Sequence, residues 1–141
     1  MRLLRRKKSN EQKELIKMRE DVIRRLESLG YTVDTGTDEW LINFLIDKVA
    51  NTIKNDCNLT EIPAGLYEVA VDMVCGEFLA AKKGSGQLEG FDVDFAIKQI
   101  KEGDTNITFA VPDATITVDW LIKWLIDGTR YQFSAFRRLR W

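Results

Sequence analysis

Between residues 15 and 79 apolar side chains return at three- and four-residue steps three separate times, and nothing else constrains this chain as strongly. Leu15, Met18, Val22, Leu26 and Leu29 form the first stripe. Leu41, Phe44, Leu45, Val49 and Ile53 form the second, widened by Ile42 and Ile46. Leu66, Val69, Ala70, Met73, Val74, Phe78 and Leu79 form the third. That period belongs to helices. A single amphipathic helix is marginal in water, so three of them in succession are expected to bury their stripes against one another. The boundaries have signals of their own. Ser9 stands three residues before Gln12, which is capping-box spacing, and Gly30 ends the first helix. Thr37, Asp38 and Glu39 supply a cap and first-turn acids for a second helix over about 38–56. Pro63 suits the first position of a third helix that runs to Lys82, Lys83 and Gly84.

Beyond Gly84 the pattern changes. The stretch GSGQLEG, 84–90, reads as a flexible linker. It follows a helix and lacks a Gly-Lys-Ser/Thr ending, so it does not have the setting of a phosphate loop. Ile107 and Phe109 alternate with Thr108, and Gly103-Asp104 has turn chemistry, which predicts a two-stranded hairpin over roughly 93–110. Thr117 and Asp119 open a last helix carrying Trp120, Leu121, Trp124 and Leu125, with Gly128 at its end; core packing or a subunit interface is the default role of the two tryptophans. The expected fold is mainly α: a small bundle of about four helices with a β-hairpin or extended excursion around 93–110 and an extended C-terminal tail. At 141 residues this is one domain. Its parts are a basic arm (1–8), a three-helix core (9–83), a loop and hairpin (84–116), and a final helix with a tail (117–141).

Composition narrows the chemistry. The chain has no histidine, which removes imidazole acid–base catalysis, His-based triads and Cys/His zinc sites. Cys57 and Cys75 have apolar neighbours on helices and read as buried thiols. Glu89, Asp92 and Asp94 cluster without EF-hand spacing and read as a solvated acidic loop. No cofactor, metal site or enzymatic activity is expected. No apolar run reaches the roughly 18–20 residues of a membrane span, and MRLLRRKK is not followed by the apolar stretch of a secretory signal. The expected compartment is therefore the cytoplasm of the producing cell.

The formal charge of −1 conceals a strong asymmetry. Arg2, Arg5, Arg6, Lys7 and Lys8 stand at the start without an acid, and Arg130, Arg137, Arg138 and Arg140 stand at the end without one. All 22 carboxylates fall in 9–129 against 12 Lys and Arg, so that stretch carries −10 while the two ends sum to +9. An acidic body with basic ends repels polyanions with the body and seeks anionic partners with the ends. The first group could contact phosphates or an acidic protein surface. The ending FRRLRW, formed by Phe136, Arg137, Arg138, Leu139, Arg140 and Trp141, combines the residue types enriched where interfaces bury most free energy. It is expected to anchor on a partner, or else to fold back on the chain's own acidic helices. Gly103 and Asp104, at the hairpin turn, are a second expected contact, through addition of a strand to a partner sheet.

The stretch DEWLINFLIDKVANTIKNDCNLTEIPAGLYEVAVDMVCGEFL (38–79), with its break at CNLTEIP (57–63), the segment IKEGDTNITF (100–109) and the ending FRRLRW (136–141), resembles the head–tail connector family of tailed bacteriophages, also called adaptor or head-completion proteins. The resemblance covers about 38–141. It implies a small helical bundle that assembles with itself into a ring, commonly of twelve subunits, beneath the portal protein. Such a ring extends the channel through which DNA passes without sequence-specific binding, and it docks a head-closure or tail-completion protein. It places the chain in the virion neck after synthesis in the host bacterial cytoplasm. The rival reading is a small DNA-binding protein, a packaging or regulatory factor, that uses the basic N-terminal arm.

Overall fold

The computed structural model describes residues 2–103 and 118–138. Among these residues five α-helices follow one another: α1 (Arg2–Ser28), α2 (Thr35–Cys57), α3 (Tyr67–Gly84), α4 (Val93–Gly103) and α5 (Val118–Asp127). Short 3-10 turns lie at Ala64–Leu66 and Arg130–Ala135. Among the described residues there is no strand. The helix α3 is the centre of the bundle and packs on α1, α2 and α5, while α4 leans on α5. Every residue of the third stripe, Leu66 to Leu79, is buried, as are Met18, Val22, Leu26 and Leu29 of the first.

The ends of α1 and α2 follow from local chemistry. Gly30 takes a left-handed conformation (φ 93°), and the N–H groups of Gly30 and Tyr31 reach back to the carbonyls of Glu27 and Leu26, closing a Schellman motif. Asn58 does the same after α2 (φ 55°), with Leu59 N–H on Lys54 O at 2.9 Å. At the start of α2 the cap is Asp34, whose side chain accepts the Gly36 N–H at 2.9 Å, so the helix begins three residues before the expected Asp38. Asp38 is then free for another task. It is 2% exposed, with Oδ2 accepting the Asp34 N–H at 3.0 Å and Oδ1 lying 2.5 Å from Lys82 Nζ. This pair ties the first turn of α2 to the last turn of α3.

Four expectations are corrected. Ser9 does not open the first helix, because α1 begins at Arg2 and runs through it. The expected basic arm of 1–8 is thus helical from Arg2 onward, and its Arg, Leu and Lys residues are good helix formers. The apolar face of α2 is centred on Ile42, Leu45, Ile46, Val49 and Ile53, and Phe44 points outward. The hairpin over 93–110 is not formed, since Val93–Gly103 is helical. Ala96, Ile97 and Ile100 lie on one buried helical face, and Asp92 Oδ1 accepts the Phe95 N–H at 3.0 Å as an N-cap. Gly103 therefore closes α4 instead of turning a hairpin, and Asp104, with Ile107 and Phe109, lies outside the described residues. In the linker, residues 85–90 form successive turns with Gly86 and Gly90 at positive φ, and Lys82 Nζ donates to Gln87 Oε1 at 2.9 Å.

Helices α3 and α5 approach closely at Gly76. A Cβ there would lie 2.7 Å from Ile126 Cγ1, 2.9 Å from Leu125 Cβ and 3.2 Å from the Ile122 carbonyl of α5. Replacing Gly76 by Ala is expected to push α5 off α3 and cost about 1–3 kcal/mol of stability. A lowered urea midpoint with an unchanged slope is the expected readout.

Candidate functional site

The chain's two basic ends are treated differently by the fold. At the C-terminus, Phe133 is buried and its carbonyl accepts the Cys57 Sγ–H at 3.7 Å. Arg130 bridges Asp56 (3.1 Å) and Asp127 (3.4 Å) while its guanidinium sits over the Phe133 ring. Phe136 is half-buried beside Gly65, where an added Cβ would fall 2.5 Å from Phe136 Cζ, so a side chain at residue 65 would displace this ring. Arg138 N–H then donates to the Cys57 carbonyl at 2.9 Å, and Asn58 Nδ2 donates to the Arg138 carbonyl at 3.4 Å. The ending is thus folded back through its ring and backbone as far as residue 138. Its guanidinium groups are not used up by this: Arg137 and Arg138 are both exposed. Leu139, Arg140 and Trp141 lie outside the described residues.

The N-terminus is the opposite case. Every side chain from Arg2 to Glu14 is exposed, and the first buried one on α1 is Met18. At about 1.5 Å per residue, the start of α1 stands roughly 24 Å beyond that first anchor. Leu3 is 81% and Leu4 65% exposed. Arg2, Arg5, Arg6, Lys7 and Lys8 crowd the first two turns without an acid in the first turn. Cations at the positive end of a helix dipole repel it, an electrostatic cost that an anionic neighbour removes.

Sequence reasoning missed a third surface. Trp40 and Phe44, one turn apart on α2, are 72% and 51% exposed, and their rings stack at 5.4 Å with an interplanar angle of 12°. Asp47 follows on the same exposed face. The available signal was Trp40, which lies off the buried face of α2 and four residues before Phe44.

Burial pushes both Cys75 and Cys57 above the ordinary thiol range; Arg137 partly opposes the rise at Cys57. Asp72 is raised by burial against the pull of Arg25, which it meets at 2.9 Å. A cleft of about 260 Å³ opens beside that pair, lined by Glu68, Trp124 and Gln132. Trp120 and Trp124 pack on the core from its edge. No group of three or more Cys, Asp or Glu side chains able to hold a metal converges among the described residues. Nor is any helix among them long and apolar enough to cross a membrane.

Ionisation does bear on stability at high pH. Tyr67 is raised by burial and by its hydroxyl's bond to the Asp21 carboxylate. Tyr31 is raised by burial and by nearby Asp38. Lys82 is raised by its bond to Asp38, against the effect of burial. In each case the folded chain holds its proton more tightly than the unfolded chain. The stabilisation is complete below the unfolded values, near 10 for both residue types, and is lost as pH rises through the folded ones. Thermal melting is expected to drop steeply above about pH 10, and Tyr67→Phe is expected to flatten that drop.

Scans of protein-family models, curated proteins and solved structures find no match to this chain.

Proposed function

We propose that the chain is a structural head–tail connector of a tailed phage or prophage. In this reading it forms a ring beneath the portal, extends the DNA channel and docks the next neck or tail component. Its work is recognition, and it catalyses nothing. The observation that carries the reading is the separation of charge in space. An acidic helical body is completed within the chain, while cations at both ends are presented to solvent on Arg2–Lys8 and on Arg137 and Arg138. A body of that sign makes a channel wall to which DNA does not stick. Exposed arginines on a backbone already held in place can fork to a partner's carboxylates at little further ordering cost.

The test is co-sedimentation with the cognate portal protein. Arg137, Arg138 and Trp141 are replaced together by Ala, which keeps the Arg138 N–H on Cys57. The altered chain is expected to melt like the wild type but to leave the portal fraction. Equal binding by both chains would move the portal contact away from this ending.

A second reading, a small DNA-binding protein, draws on the five cations displayed on one exposed helical segment. The −10 carried by residues 9–129 opposes it. Retardation of duplex DNA that weakens steeply with salt, without portal binding, would favour it.

A further inference from the structure

We infer that the tip of α1 in one copy docks on the Trp40–Phe44 face of α2 in a second copy. The occupant is argued from two surfaces that match in kind. The tip presents two leucines among five cations, all exposed. The α2 face presents a flat, stacked aromatic plate with the Asp47 carboxylate beside it, and Asp47 has no ion-pair partner among the described residues. Leucines cover rings by burying apolar area, while arginine stacks on ring faces and pairs with carboxylates. A polyphosphate would occupy the cations and leave Leu3, Leu4, Trp40 and Phe44 in water. The acidic body of another copy accounts for all of them, and its opposite charge draws the tip in.

The tip cannot reach its own plate. Arg19 of α1 contacts Glu39 at 3.2 Å and Asn43 at 3.4 Å, which fixes the level of α1 beside the start of α2. Leu4 lies fifteen residues further along a continuous helix, roughly 22 Å beyond that level. Tip and plate are therefore different, distant surfaces of one molecule, and each copy offers one of each. Exchanged reciprocally between two copies the contact closes a dimer; passed on from copy to copy it builds a ring or an open chain. The inference rests on the self-assembly part of the function proposed above and makes no use of the portal.

The experiment is analytical ultracentrifugation of the full chain from micromolar to submillimolar concentration. One altered chain carries Leu3→Ser and Leu4→Ser, and the other carries Trp40→Ala and Phe44→Ala. All four side chains are exposed, so both chains are expected to keep the wild-type circular dichroism spectrum and melting point. The wild type is expected to self-associate, and each double substitution to weaken that by about thirtyfold, the scale of losing one aromatic anchor. Mixed together, the two chains are expected to form a one-to-one complex, because the intact tip of one meets the intact plate of the other. A monomeric wild type, undiminished association in either variant, or no complex on mixing would overturn the contact. Portal binding is assayed alongside. Self-association that survives while the portal is not bound counts against the connector reading alone, and portal binding without self-association counts against this contact alone.

Discussion

Replacing Asp38 by Ala is expected to remove about 3 kcal/mol of folding stability, the low end for breaking a buried ion pair. The carboxylate does three things at once. It bonds the Asp34 N–H at 3.0 Å, faces the Tyr31 hydroxyl at 3.5 Å and meets Lys82 at 2.5 Å. Its loss leaves the Lys82 ammonium, whose side chain is 12% exposed, without its counter-charge. The long lysine stem can carry the charge partly outward, which is why the low end applies. Lys82→Met is expected to cost a similar amount, since it leaves Asp38 charged and buried. The double change Asp38→Leu with Lys82→Met is expected to cost less than the two single changes together, because the apolar pair has no charge to desolvate, yet to stay about 1–2 kcal/mol below the wild type, because the Asp34 N–H and Tyr31 hydroxyl lose their acceptor. Urea melts of the wild type, Asp38→Leu, Lys82→Met and the double change form a double-mutant cycle. Additive losses would show that the two residues act independently.

Phe133→Ala is expected to cost about 3–4 kcal/mol, the range for emptying a fully buried aromatic site. The ring belongs to the 3-10 turn after α5 and is 1% exposed, so the segment past Gly128 is part of the core. A second readout separates this loss from general loosening. Cys57 lies under that turn while Cys75 faces the Val22 carbonyl of α1. Under native conditions a thiol reagent, followed by peptide mapping, is expected to label Cys57 in the altered chain much faster than Cys75. Equal labelling would mean that the bundle as a whole had opened.

The three-helix core was legible because its signals are local and redundant. Each stripe holds the 3.6-residue period over several turns, and Gly30 marks a stop that only a residue tolerant of positive φ makes cheaply. The α4 error had a physical cause. Turn chemistry at Gly103-Asp104 and the alternation at 107–109 outweighed a short helical signal, Ala96, Ile97 and Ile100 behind the Asp92 cap. Among its residues of described burial only Ala96, Ile97 and Ile100 are buried, too few for periodicity to decide alone. Asp38 read only as a first-turn acid because nothing local tells that Lys82, 44 positions on, will meet it. The Phe136 seat is equally non-local, since it depends on Gly65. The charge asymmetry of the ends was plain in the sequence. That one end folds back while the other projects as a helix depends on packing partners, and sequence spacing does not name them.

Negative-stain electron microscopy of the purified chain mixed with its portal protein tests the central claim most directly. The connector reading predicts added annular density on one face of the portal ring, absent from portal alone and lost with the Arg137, Arg138 and Trp141 alanine chain. Portal particles unchanged by the wild-type chain, under conditions where that chain retards duplex DNA, would contradict it.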